Sequence, residues 1–254
     1  MSRDAHFYLT LPSNASTDIF PDNKTTGYRT KLPETIDLEG DWEVGVYSII
    51  YPNSWYTLEK KIIDTNVYFS FPPHGFATGL IFDYGHYESV KEFIDKTNKI
   101  MRLDKNLKGG VQFKENTLTK KITVEIKSGY SMTLNEKISR ILGFGGATPI
   151  IKKTTESPYA SDLTVLSTIY VYCDIVEPQV VGDVSAQLIR SIPVQGKFGD
   201  IISQTFVNIQ HAPVLRKSFE DVEILLRGDT GDPVPFEPGK VVVTLHFRKH
   251  TYFT

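Results

Sequence analysis

The sequence has little cysteine and no excess of either charge. Its single cysteine, Cys173, excludes a disulfide within the chain. The 28 lysines and arginines nearly balance the 30 aspartates and glutamates, which excludes the strongly basic surface of a nonspecific nucleic-acid or anionic-membrane binder. No apolar run approaches the roughly 20 residues of a membrane-spanning helix, and none of signal-peptide length follows Met1. We therefore expect a soluble protein, made in the cytoplasm, with no membrane span and no specific nucleic-acid partner.

Aromatic residues are abundant, with 13 tyrosines and 15 phenylalanines, and apolar residues alternate with polar ones along many short segments. Val222–Leu226 and Val241–Phe247 show this two-residue period, which is typical of strands with one buried face. We predict that these two segments are neighbours in one antiparallel sheet. The Gly- and Pro-rich connection Arg227–Gly239 should then project from the end of that sheet.

Other segments extend this pattern and place helices in one part of the chain. Further strands are predicted at His6–Leu11, Tyr28–Leu32, Trp42–Tyr51, Val67–Phe71, Val111–Lys114, Lys121–Lys127, Val165–Ile175, Gln187–Ile192 and Thr205–Ile209. Helices are predicted at Ser89–Met101, which starts with a capping box, and at Leu134–Leu142, which ends before Gly143. His74–Gly79 is predicted to be a loop, and Pro149–Tyr159 a linker or large surface loop.

This inventory predicts an all-β fold, because strands outnumber helices and no internal repeat is present. We expect a single jelly-roll antiparallel sandwich over residues 1–254, with one or two short helices in an insertion around residues 80–148.

The sequence contains no constellation typical of catalysis. Jelly-roll metal oxygenases place two histidines and a carboxylate around one metal, commonly with histidines at i and i+2, a spacing that none of the six histidines shows. Cys173 lies on the apolar side of a predicted strand, which favours a buried thiol over a nucleophile. We therefore predict no catalytic residues, no metal and no cofactor; a metal-dependent oxygenase remains the enzymatic alternative.

The tripeptide Arg227-Gly228-Asp229 is the one short motif with a possible binding role. A guanidinium and a carboxylate on either side of a glycine can engage an acidic pocket and a divalent cation of an integrin-type receptor. Arg227, Gly228 and Asp229 are therefore candidate receptor-binding residues. Glycine and aspartate are also common in turns at strand ends, so an ordinary turn is the alternative.

Several blocks together resemble a known family, the minor capsid (penton) proteins of Polinton (Maverick) elements and the related adintoviruses. The resemblance rests on Phe7–Asn14, Phe20–Asn23, Leu38–Val46, Tyr51–Trp55, Leu134–Phe144, Val171–Val176, Val181–Asp183 and Pro235–Glu237. These blocks span nearly the whole chain, but none of them is a chemical motif.

The resemblance implies a structural virion protein that is synthesised in the host cell cytoplasm. It implies a homopentamer at icosahedral five-fold vertices, in contact with a double-jelly-roll major capsid protein. In adenovirus pentons, which are related in architecture, an Arg-Gly-Asp loop contacts host integrins, which makes a host receptor a candidate partner. That loop is a separate long insertion there, whereas Arg227–Asp229 directly follows a predicted strand here. The alternative is a receptor- or glycan-binding attachment protein, in which loop aromatics such as Trp55, Tyr56, Tyr84 and Tyr87 stack on sugars.

Overall fold

Alternating side chains set the two faces of most strands in this chain. The computed structural model describes residues 5–59, 67–71, 76–107, 109–146, 149–237 and 239–250. The chain divides into two units, one formed by Met1–Trp55 with Leu166–Thr254 and the other by Tyr56–Val165. The helix-containing excursion predicted around residues 80–148 lies within the second unit.

The elements are numbered in chain order across both units. The first part of the first unit contains β1 (His6–Pro12), β2 (Gly27–Asp37) and β3 (Trp42–Pro52). The second unit contains β4 (Val67–Phe71), β5 (Phe76–Leu80), α1 (Val90–Leu103), β6 (Val111–Glu115), β7 (Ile122–Ile126), β8 (Ser131–Leu134), α2 (Glu136–Ile141), β9 (Ile150–Ile151) and β10 (Thr155–Glu156). The rest of the first unit contains β11 (Thr168–Cys173), β12 (Gln179–Val181), β13 (Val184–Ala186), β14 (Leu188–Pro193), β15 (Ile201–Thr205), β16 (Ala212–Pro213), β17 (Ser218–Arg227) and β18 (Val242–Lys249).

The first unit contains two antiparallel sheets with jelly-roll connectivity. Sheet 1 has the order β1-β18-β3-β15, with the short β16 also paired to β3, and sheet 2 has the order β14-β11-β17-β2. Among the eight strands of these two orders, the first pairs with the last, the second with the seventh, the third with the sixth and the fourth with the fifth. This nested pairing is a long hairpin wrapped into a sandwich. The predicted all-β jelly roll is confirmed.

Inward-facing residues of the two sheets form the core of the first unit. In sheet 1, Leu11 of β1 lies opposite Val243 of β18, and both side chains are buried. The Tyr28 hydroxyl of sheet 2 donates a hydrogen bond of 3.0 Å to the Leu11 carbonyl. Burial strongly raises the pKa of this phenol, which therefore stays protonated as a donor.

The predicted pairing of Val222–Leu226 with Val241–Phe247 is wrong, because β17 lies in sheet 2 and β18 in sheet 1. Alternation identifies which face of a strand is buried but not which strand lies beside it. The connection between these strands, predicted to project from the end of the sheet, also packs back against β17. Val234 is buried, and its N–H donates to the Leu226 carbonyl at 3.2 Å.

The second unit combines two small sheets with both helices. The sheets have the orders β5-β4-β8-β9 and β10-β7-β6. Helix α1 starts as predicted, since the Ser89 hydroxyl accepts the Glu92 N–H at 3.1 Å. Helix α2 ends before Gly143, as predicted, and the φ of 78° at Gly143 allows the Phe144 N–H to reach the Ser139 carbonyl at 2.8 Å. Both predicted helices are confirmed.

Several predicted boundaries are wrong. Leu134 ends β8 rather than starting α2. The described part of the predicted His74–Gly79 loop belongs to β5, while residues 74 and 75 lie outside the described residues. The predicted linker Pro149–Tyr159 contains β9 and β10, which pair with β8 and β7 because polar composition does not prevent edge pairing. The strand predicted at Thr205–Ile209 ends at Thr205.

Candidate functional site

The Arg-Gly-Asp tripeptide lies in a hydrogen-bonded turn at the end of β17. The Arg227 guanidinium donates to the Gly231 carbonyl at 2.8 Å. The Gly228 N–H donates to the Asp232 carbonyl at 2.8 Å, and the Gly231 N–H donates to the Gly228 carbonyl at 3.0 Å. The Arg227 side chain therefore stabilises the turn in which it lies.

The Asp229 side chain is exposed, but its carboxylate is hydrogen-bonded to a residue far away in the sequence. Its carboxylate accepts two hydrogen bonds from Ser167, one from the backbone N–H at 2.7 Å and one from the hydroxyl at 3.0 Å. These bonds tie the turn after β17 to the residue that precedes β11. The geometry supplies a structural role for Arg227 and Asp229, and receptor binding by Arg227, Gly228 and Asp229 stays a prediction.

The aromatic residues considered for glycan stacking do not share one environment. Trp55 is only 7% exposed and Tyr87 only 4% exposed. Trp55 packs on Phe236 with ring centroids 6.0 Å apart, and Tyr87 packs edge to face on Phe93 at 5.1 Å. Their predicted exposure is therefore wrong, whereas Tyr84 is exposed.

Cys173 is a buried thiol, as predicted. Burial raises its pKa to about 12, so the thiolate needed for nucleophilic attack is suppressed. Over the described ranges, no three histidine, cysteine or acidic side chains come together in an arrangement that could hold a metal ion. Within the described residues, none of the helices has the length and apolar character that a membrane span requires.

Two distant histidines, His211 and His246, meet in a contact that sequence reasoning missed. Nε2 of His211 lies 3.0 Å from Nδ1 of His246. His6 approaches the same ring, with centroids 5.6 Å apart, and Tyr8 lies 4.7 Å from it. The outward parity of His246 in β18 was visible in the sequence, but no signal linked it to His211, which precedes the short β16.

The outer face of sheet 1 is nearly free of charge. Tyr8, Ile50 and Ile201 are exposed on it, and the Tyr8 ring packs edge to face on Tyr47 at 5.0 Å. Among the described strand residues that point outward from this sheet, only Glu43 and Arg248, at one end, carry a formal charge independent of histidine protonation. Aromatic enrichment and depletion of charge are typical of the centre of a protein interface.

The outer face of sheet 2 is different, because it carries ion pairs. Arg29 lies 3.8 Å from Asp221 and 3.2 Å from Glu223, and Lys31 lies 2.7 Å from Glu220. Such partly exposed pairs contribute little to stability, but they place charges of both signs on this face. The two sheets of the sandwich thus present chemically distinct outer faces.

A second apolar surface is the hairpin formed by β12 and β13. Its strands pair with each other and, within the described residues, with no other strand. Val180 is 88% exposed and Val184 57% exposed. A two-stranded hairpin is only marginally stable in water by itself, so exposed valines here favour a contact with another protein surface.

Comparison with known proteins finds similarity in structure rather than in sequence. No protein-family model and no curated protein matches the sequence. The mavirus penton protein matches with a TM-score of 0.50 and 12% identity, covering 96% of this chain and 99% of that chain. A chain from the structure of the Sputnik virophage matches with a TM-score of 0.50 and 11% identity, covering 97% and 98%. The protein therefore has the fold of the mavirus penton protein over nearly its full length, and the resemblance to penton proteins is confirmed at the level of the fold.

Proposed function

We propose that this protein is a structural virion protein, a minor capsid or penton protein that forms homopentamers at icosahedral five-fold vertices. In this proposal both units belong to one capsid subunit, which also contacts a double-jelly-roll major capsid protein. The observation that carries the proposal is the shared fold with a penton protein across 96% of this chain and 99% of the other. A structural role, rather than an enzymatic one, is supported by the same comparison.

The surface chemistry supports self-assembly. Five-fold closure requires a head-to-tail interface, in which two different surfaces of each subunit are complementary. The first unit offers two such surfaces, namely the nearly uncharged outer face of sheet 1 and the exposed valines of the β12–β13 hairpin. Both can lose water on association without leaving unpaired charges behind.

Light scattering coupled to size exclusion tests the proposed assembly. We expect a concentration-dependent species with the mass of five 28.7 kDa chains, and binding to the major capsid protein encoded with it. A strict monomer at all concentrations, with no affinity for that capsid protein, would contradict the proposal.

We also propose, as a second function, that the same protein contributes to host attachment. The exposure of Asp229 at a turn favours this role, although a receptor must replace the Ser167 hydrogen bonds. Cell attachment of particles carrying Asp229→Glu should fall, while Asp232→Asn in the same turn should have little effect. Equal attachment by both variants, together with no binding on a glycan array, would remove this function.

A further inference from the structure

The segment of residues 206–211, which we call the strap, is longer than the stretch of β3 that it faces. It connects β15 to β16, and both of these strands pair with β3. Thr205 pairs with Ser48 and Ala212 pairs with Val44, so six strap residues stand opposite only residues 45–47. The last strap residues, 209–211, lie over the outer face of sheet 1. Arg190 of β14, in sheet 2, contacts the first part of the strap: its guanidinium lies 3.9 Å from the Phe206 ring centroid and donates to the Asn208 carbonyl at 3.0 Å.

The strap lies directly on Gly45. A Cβ atom at this position would be 2.4 Å from the Gln210 carbonyl oxygen and 2.5 Å from Cγ2 of Ile209. At the other end of the strap, the Phe206 N–H donates to the Tyr47 carbonyl at 2.8 Å. Glycine therefore creates the space in which the strap approaches the sheet backbone.

The His211–His246 contact closes the C-terminal end of the strap. His211 ends the strap, and His246 projects from β18 beside Gly45, its partner in the register. The 3.0 Å separation of Nε2 and Nδ1 is a hydrogen bond that needs a proton on one nitrogen and a lone pair on the other. When both rings are cationic, both nitrogens are donors, so the bond is lost and the like charges repel.

The groups around this pair oppose a second positive charge. His6 and Tyr8 approach from β1, and Arg248 follows His246 by two residues on the same strand face. Glu43 of β3 is the nearby carboxylate, but it pairs with Arg248 at 2.7 Å and His250 at 3.0 Å. Residues 207–210 of the strap carry no charge.

These surroundings lower the pKa of both histidines. For His211 the causes are burial, then the charges of Arg248 and His246, which outweigh the opposing effects of Glu43 and the Ile209 backbone. For His246 they are burial, then His6 and Arg248. The closed strap therefore binds fewer protons than an open strap, so closure is favoured above the ordinary histidine pKa of about 6.5 and weakens as the pH falls below it.

We propose that His211 and His246 form an acid-sensitive latch. It holds the strap on the outer face of sheet 1 when at most one of the two rings is cationic, and it releases the strap when both are. The latch does not depend on the proposed capsid function. Release exposes Gly45 and the backbone of β3 on a face that is otherwise poor in charge.

Hydrogen exchange of the full chain, measured by mass spectrometry and corrected for intrinsic rates, tests the latch. Between about pH 7.5 and about pH 5, exchange of the strap amides should rise about tenfold in the wild type, as expected for a proton-linked opening. His211→Gln, which keeps an amide donor but cannot become charged, should abolish this rise. His86→Gln, in the second unit, is the matched control and should keep it.

Two results would overturn the latch: equal corrected exchange of the wild-type strap at both pH values, or the same acid response in His211→Gln. NMR titration of the wild-type imidazoles provides a test that needs no variant. His211 and His246 should titrate with depressed and mutually dependent midpoints, whereas independent titration near the ordinary value of about 6.5 would contradict the proposal.

Discussion

Phe219 of sheet 2 stacks on Phe247 of sheet 1 across the interior of the sandwich, with ring centroids 6.1 Å apart and an interplanar angle of 22°. Phe247 is stacked again within its own sheet, on Phe7, at 4.6 Å. Both Phe219 and Phe247 are buried. The contact joins the last two long strands of the chain, which lie in opposite sheets.

Replacing Phe247 should therefore weaken the whole first unit. Phe247→Ala removes a fully buried ring and leaves a cavity between the sheets, which should lower the free energy of unfolding by about 3–5 kcal/mol. Phe198, which is 38% exposed, provides the control, and Phe198→Ala should cost clearly less than Phe247→Ala because part of its ring already contacts water. Urea denaturation of both variants measures the difference, and similar losses would show that Phe247 has no special role in the core.

This contact also shows what the sequence could and could not predict about the fold. The buried parity of Val243, Leu245 and Phe247 follows from a two-residue period, so the strand and its inner face were predictable. The partner strand was not, because sheet pairing depends on contacts between distant segments such as β1 and β18. Composition misled at Pro149–Tyr159, where a polar segment forms two short edge strands.

The candidate sites show the same division. The turn at Arg227–Asp229 was predictable from glycine and aspartate at a strand end. The hydrogen bonds from Ser167 to Asp229 were not, since 62 residues separate the partners. The His211–His246 contact likewise depends on the strap crossing Gly45, which no local pattern indicates.

The buried Asn98 should be essential to the second unit. Its side-chain amide donates to the Phe113 carbonyl at 2.9 Å and its oxygen accepts the Phe113 N–H at 2.9 Å, which joins α1 to β6. Asn98→Ala leaves both backbone groups without this partner, and should cost about 2–6 kcal/mol, since each of the two buried unsatisfied groups costs about 1–3 kcal/mol. Thermal unfolding measures the loss, with Lys99→Ala, the next residue on α1, as the control; equal melting temperatures for the two variants would contradict it.

Glu43 should contribute to stability in a pH-dependent way. Burial disfavours its carboxylate, but hydrogen bonds and charge from Arg248 and His250 outweigh burial and lower its pKa. The contribution of Glu43 to the free energy of unfolding is fully present above the ordinary glutamate pKa of about 4.3. It is lost as the pH falls from there through the lowered pKa of Glu43 in the folded protein. Glu43→Gln should flatten the acid limb of a stability-against-pH curve, while the exposed Glu177→Gln should not. Identical acid limbs for wild type and Glu43→Gln would refute this.

The β12–β13 hairpin should matter for assembly rather than for folding. Val180→Asp places a charge on a residue that is 88% exposed, so the monomer should keep its stability, while a contact with a second copy should lose at least about tenfold in affinity because a buried unpaired charge is costly. Leu118→Asp is the matched control, since Leu118 is 93% exposed in the second unit. Sedimentation velocity compares the two variants, and unchanged association of Val180→Asp would exclude the hairpin from the interface.

The most direct test of the capsid proposal is electron microscopy of the purified wild-type protein at assembly concentration, with class averages calculated without imposed symmetry. The account predicts closed rings of five subunits. Isolated monomers alone, or rings with a different rotational symmetry, would contradict it.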